Sequence, residues 1–217
     1  MPLIITLILT ILVCAACGGS RNIEPIAKPA EIKTTSARFL AVGDIMLSRG
    51  VNRVIERTGD PLIPFRASAE MFESVDFSFG NLESPVSGDD TKKGKGLVFN
   101  TREQDIAGLE KFRFRVVCLA NNHALDQGPK GLKNTIRVLD ERGIRHVGAG
   151  DNLREAWSPS VIEANEVRIG FIGASYSSYN DGGAQLNQFV ARIEDLDNLR
   201  TSIAEARRSA DIVVVTM

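Results

Sequence analysis

An α/β domain of layered sheets and helices is the fold this sequence predicts, on two observations. Short apolar runs of strand length alternate along the chain with amphipathic stretches of helical period. Several of those runs end in polar or glycine-bearing loops, as strand exits do. The composition agrees with a packed core, since 43% of the 217 residues are hydrophobic and 24% are charged. Lys plus Arg number 26 and Asp plus Glu 27, for a formal net charge of -1. That balance excludes a nucleic-acid binder driven by bulk charge, and the apolar content excludes an acidic disordered chain. Three cysteines, Cys14, Cys17 and Cys118, are too few for a disulfide scaffold.

The chain opens on a largely apolar run from Leu3 to Ala16 with no charge before Arg21. It is shorter than the ~20 residues a spanning helix needs and fits the apolar segment of a secretory signal. Small residues, Ala15 and Ala16, stand directly before Cys17, which resembles a bacterial lipobox. The expectation is a signal over residues 1–17, a lipid anchor on Cys17, and a chain facing outside the cytoplasm. Residues 18–37 shift to Gly, Ser, Pro, Lys, Glu and Thr, the composition of a tether. The folded domain is expected over residues 38–217.

Within it, RFLAVGD (Arg38 to Asp44) reads as a buried strand with its exit loop. VNRVIERTG (Val51 to Gly59) has apolar residues at helical spacing and a stopping glycine. VDFSFGN (Val75 to Asn81) alternates as a strand does, and LVFNT (Leu97 to Thr101) predicts a second short one. REQDIAGLEKF (Arg102 to Phe112) is helical, VVCLA (Val116 to Ala120) a buried strand, and GLKNTIRVLDERG (Gly131 to Gly143) a patterned helix. A strand at Arg145 to Val147 precedes a pair at Ser160 to Asn165 and Val167 to Gly173. A helix over Asp195 to Ser209 then leads into DIVVVTM, one more buried strand. A strand of this kind normally feeds a loop that carries site residues. The domain is therefore expected to be the N-terminal part of a longer one, inactive as this fragment alone.

Polar residues cluster after three of these strands: Gly43-Asp44, Asn81-Leu82-Glu83 and Asn121-Asn122-His123. Strands of one sheet bring such loops to a common edge. Asp, Glu, Asn and His are oxygen and nitrogen donors suited to Mn, Fe, Zn or Mg.

At GDIMLSRG (Gly43 to Gly50), FGNLESPV (Phe79 to Val86), LANNHALDQG (Leu119 to Gly128) and GIRHVGAG (Gly143 to Gly150) the chain resembles the CapA family. Those proteins are linked to poly-γ-glutamate capsule synthesis and are similar to calcineurin-like metallophosphoesterases. The resemblance implies a four-layer αββα sandwich with a metal centre, of two divalent ions, at the sheet edges. It implies that Asp44 and Asn122 are metal ligands, that Glu83 bridges two metals, and that His123 acts as general acid. Met46 stands where metallophosphoesterases carry a histidine, and the bridging carboxylate is a glutamate rather than an aspartate. The family's further imidazole ligands lie in motifs that follow the last strand.

Beside these, Arg49 is a candidate for binding an anionic group and Asp126 for orienting a ligand loop. His146, Cys118 and Trp157 read as structural. The expected function is an exported metal-dependent hydrolase, phosphoesterase-like or amide-cleaving. Its expected partner is an anionic envelope polymer such as poly-γ-glutamate, with no nucleic acid. A non-catalytic cell-surface protein that holds such a polymer is the alternative.

Overall fold

The computed structural model describes residues 35–87, 97–176 and 188–217; Cys17 lies outside them. Four strands, β1 (Phe39–Ile45), β2 (Phe77–Leu82), β3 (Phe114–Cys118) and β4 (Arg145–Val147), pair in that order and all run parallel. Parallel neighbours need crossovers. These carry α1 (Arg49–Thr58) and α2 (Ala69–Glu73) after β1, α3 (Ala107–Lys111) before β3, and α4 (Gly128–Glu141) before β4. A short helix, α5 (Leu153–Ala156), then leads to a second sheet. There β5 (Ser160–Ala164) pairs antiparallel with β6 (Val167–Gly173). The helix α6 (Leu196–Ser209) crosses to β7 (Ile212–Thr216), which runs parallel to β6.

Alternation of side chains along β1 and β2 puts Phe39, Phe77 and Phe79 on one face. All three meet the buried ring of Phe171 on β6, with centroids 5.7, 6.1 and 5.1 Å away. The two sheets therefore pack face to face through aromatic rings. Elsewhere against the first sheet, Phe65, Phe72, Phe112 and Phe114 form their own cluster beside α2 and α3. On the second sheet, Leu199, Ile203 and Ala206 of α6 cover Ile172, Val213 and Val215. The order is helix, sheet, sheet, helix, which is the αββα layering expected. Close approach of the sheets at one end depends on two glycines. A Cβ on Gly148 would fall 2.5 Å from the Ala120 Cβ, and one on Gly173 would fall 2.8 Å from the Cys118 sulfur.

The structure corrects one element. Residues 97–101 form no strand; Thr101 makes a single bridge to Val86. The backbone groups of Phe99 turn instead to side chains: its N–H donates to Asp126 and its carbonyl accepts from Gln127. Leu97 is left exposed. An apolar run alone does not choose between a strand partner and side-chain partners. Among the described residues no helix is long and apolar enough to cross a membrane.

Cys118 is a buried thiol at the end of β3, and burial pushes its pKa up to about 12. The thiolate is the reactive form. Native protein at pH 8 is therefore expected to leave Cys118 unlabelled by Ellman's reagent, with reaction appearing only in denaturant. Rapid labelling of Cys118 in native protein would contradict its burial.

Candidate active site

The loops after β1, β2 and β3 leave the same edge of the parallel sheet, and their polar side chains link across it. Asp44 and Asn81 are paired residues in the β1–β2 ladder. The Asn81 carboxamide donates to Asp44 Oδ1 at 2.8 Å. Its oxygen accepts from the Asn121 carboxamide at 3.0 Å. Asn121 Nδ2 also reaches the Leu82 carbonyl, and its Oδ1 accepts from the His123 backbone N–H, each at 3.0 Å. The two asparagines thereby join three strand ends through side chains, directly beyond irregularities in the ladders at Ala41–Asp44 and Ser78–Phe79.

His123 is buried and held on two sides. Its Nδ1 lies 2.7 Å from Asp126 Oδ2. With the carboxylate ionised, Nδ1 carries the proton and Nε2 is left to face outward, as in other orienting carboxylate–histidine pairs. The Phe99 ring stacks on the imidazole with centroids 4.0 Å apart, while the Phe99 N–H donates to the same Asp126 oxygen at 2.6 Å. The Nε2 side approaches Glu83, whose Oε1 is 3.9 Å away. That gap is too long for a direct hydrogen bond and short enough for one group to feel the other's charge.

Glu83 follows β2 and is anchored by its backbone N–H donating to the Ile45 carbonyl at 3.1 Å. Burial first, then the nearby Asp44 carboxylate, pushes the Glu83 pKa above the ordinary range; Asp126 adds to this and His123 opposes it. Asp126 is also raised, chiefly by burial, against the hydrogen bonds from Phe99 and His123. A buried carboxylate raised in part by neighbouring carboxylates, as Glu83 is, is an arrangement a cation relieves. Asp44, Glu83 and Asn122 carry the oxygen donors that a hard cation would need. Asn122 is half-buried, and its carboxamide makes no hydrogen bond among the described residues, unlike that of Asn121. Among the described residues no group of three or more His, Cys, Asp or Glu side chains is placed to hold a metal ion by itself.

The structure thus brings Asp44, Glu83, His123 and Asp126 together. Arg49 opens α1, exposed and with a left-handed φ of 55°. His146 lies in the β4 ladder opposite Val117, where burial lowers its pKa; it takes no part in the cluster. Trp157 packs in the α6-side core. The linking roles of Asn81 and Asn121 and the stacking role of Phe99 were not legible in the sequence. The asparagines sat inside the polar triplets but carried no sign of which would be spent on structure. Phe99 sat in a run that read as a strand.

Comparison with known proteins gives these motifs a family. The family model described as "Bacterial capsule synthesis protein PGA_cap" matches residues 38–217. The "Capsule biosynthesis protein CapA" of Bacillus anthracis is 28% identical over 99% of this chain and 54% of its own length. The "PGA biosynthesis protein CapA" of Bacillus subtilis is 33% identical over 87% of this chain and 51% of its own. A "Probable polyglutamine synthesis accessory protein" of Mycobacterium tuberculosis is 24% identical over 81% of this chain. The chain spans about half the length of the two Bacillus relatives it matches.

Proposed function

Because the chain belongs to the PGA_cap family of bacterial capsule synthesis proteins, in the metallophosphoesterase-like superfamily, we propose that the protein is a metal-dependent hydrolase of the cell envelope. Its substrate in this reading is an anionic polymer such as poly-γ-glutamate, which it cuts or releases. An N-terminal lipid anchor on Cys17 would hold it at the membrane. The observation that carries the reading is the buried His123, fixed through Nδ1 by Asp126 with Nε2 turned toward Glu83. Such a histidine, protonated, is placed to give its Nε2 proton to a leaving group. Divalent ions held by Asp44, Glu83 and Asn122 would polarise the scissile bond and activate water. Asp126 stabilises the charged imidazole, and Phe99 closes one face of it to solvent.

Glu83→Gln keeps shape and removes one negative charge. Metal content of the intact protein, measured by mass spectrometry after dialysis, is expected to fall while the thermal transition is retained. A full metal complement in the variant would remove Glu83 from the ligand set. The rival reading is a non-catalytic protein that holds the polymer. Polymer binding unaffected by chelator, with no turnover under any divalent metal, would establish that rival instead.

A further inference from the structure

The helix α1 carries a row of cations that the site chemistry does not use. Arg49, Arg53 and Arg57 stand four residues apart, so they fall within about 80° of one another around the helix axis. All three are exposed, and none makes a hydrogen bond or ion pair among the described residues. Ile55 is buried on the opposite side of the helix. The flank of α1 is tied down by other residues. Asn52 donates to Asp105 at 2.9 Å, and Glu56, the one acidic residue of the helix, pairs with Arg102 at 3.1 Å. No acid on α1 is therefore left to neutralise the row. Like charges four apart destabilise a helix, and the chain as a whole is slightly acidic, so the row is a local feature against the overall balance.

Its position relates it to the acidic cluster. Val51, in the first turn of α1, lines a cleft of about 230 Å³ together with Asp44, Met46 and Leu47. Val51 shares the Ile55 side of the helix, so the cleft lies on the face opposite the row; the row begins at the same N-terminal end of α1 and extends along the exposed face for about 12 Å of helix rise. The helix's positive dipole end is the end nearest Asp44. Guanidinium groups bind carboxylates through paired N–H donors, and several weak contacts along one chain reinforce each other.

We propose that Arg49, Arg53 and Arg57 form a track for successive carboxylates of a linear polyanion along the exposed face of α1. The inference rests on the anionic-polymer reading above and adds the surface that would grip the polymer.

The test uses the intact protein and a short fluorescein-labelled γ-glutamate oligomer, followed by fluorescence anisotropy at low ionic strength with chelator present. The triple variant R49Q/R53Q/R57Q is expected to bind on the order of tenfold more weakly, as three exposed charge pairs allow. Added salt should weaken the parent and close the difference. A control, R154Q/R207Q/R208Q, removes the same charge from exposed positions on α5 and α6 and is expected to bind like the parent. Circular dichroism should show both variants folded. Parent-like binding by the first variant, or an equal loss in the control, overturns the track. Because the chelated measurement reads binding alone, its outcome is separate from hydrolysis. Oligomer held by the row but never cut with metal present would sink the hydrolase reading and leave the track standing. Oligomer cut with an unchanged KM by the triple variant would do the reverse.

Discussion

Under the hydrolase reading proposed above, exchanging His123 for Asn is expected to lower polymer hydrolysis by ~10²–10⁴-fold while leaving most of the metal in place. The expectation follows from where the imidazole is tied. Its backbone N–H holds the Asn121 carboxamide and its Nδ1 meets Asp126; among the described residues, no hydrogen bond engages Nε2, which faces Glu83. Asparagine preserves the backbone bond and can still reach Asp126, but it cannot deliver a proton at neutral pH. The loss should therefore fall on kcat, with KM nearly unchanged. A variant that keeps parent turnover at saturating substrate would remove His123 from the proton-transfer role. One that loses its metal together with its activity would place the imidazole among the ligands.

Truncating Phe171 to Ala is expected to be the most damaging change to the fold, at about 3–5 kcal/mol. That is a large share of the roughly 5–15 kcal/mol that holds an ordinary domain folded. Phe171 is fully buried and touches three rings contributed by β1 and β2. It is therefore a principal contact between sheets that share no hydrogen-bond ladder. Phe171→Leu refills most of the space and should cost far less. Chemical denaturation of both variants checks the ranking. Equal losses would mean that the inter-sheet layer repacks and that the aromatic geometry contributes little.

Much of this architecture was readable from periodicity because its long elements are regular. The strands β2, β3, β5, β6 and β7 and the helices α1, α4 and α6 coincide with apolar runs or helical stripes in the sequence. The short helices α2 and α5 were not, since five and four residues give too few turns for a period to register. Residues 97–101 misled for a physical reason: an apolar run bounded by polar residues is also what a loop looks like when one aromatic ring covers a histidine. The site was legible to the level of its three loops. Whether Asn121 or Asn122 is spent on structure depends on hydrogen bonds from other strands, which spacing along one strand does not encode.

The asparagine link has a sense of direction. The His123 N–H points to the Asn121 oxygen, the Asn121 amide to the Asn81 oxygen, and the Asn81 amide to Asp44. Like compass needles in file, each dipole turns its positive end toward the same carboxylate, and neither carboxamide can flip without setting oxygen against oxygen at one end and N–H against N–H at the other. A cation held at Asp44 would weaken the pull at the head of the file, whose tail is the fastening of the histidine loop. The edge of the sheet would thus sense, through uncharged amides alone, whether its acidic end is compensated.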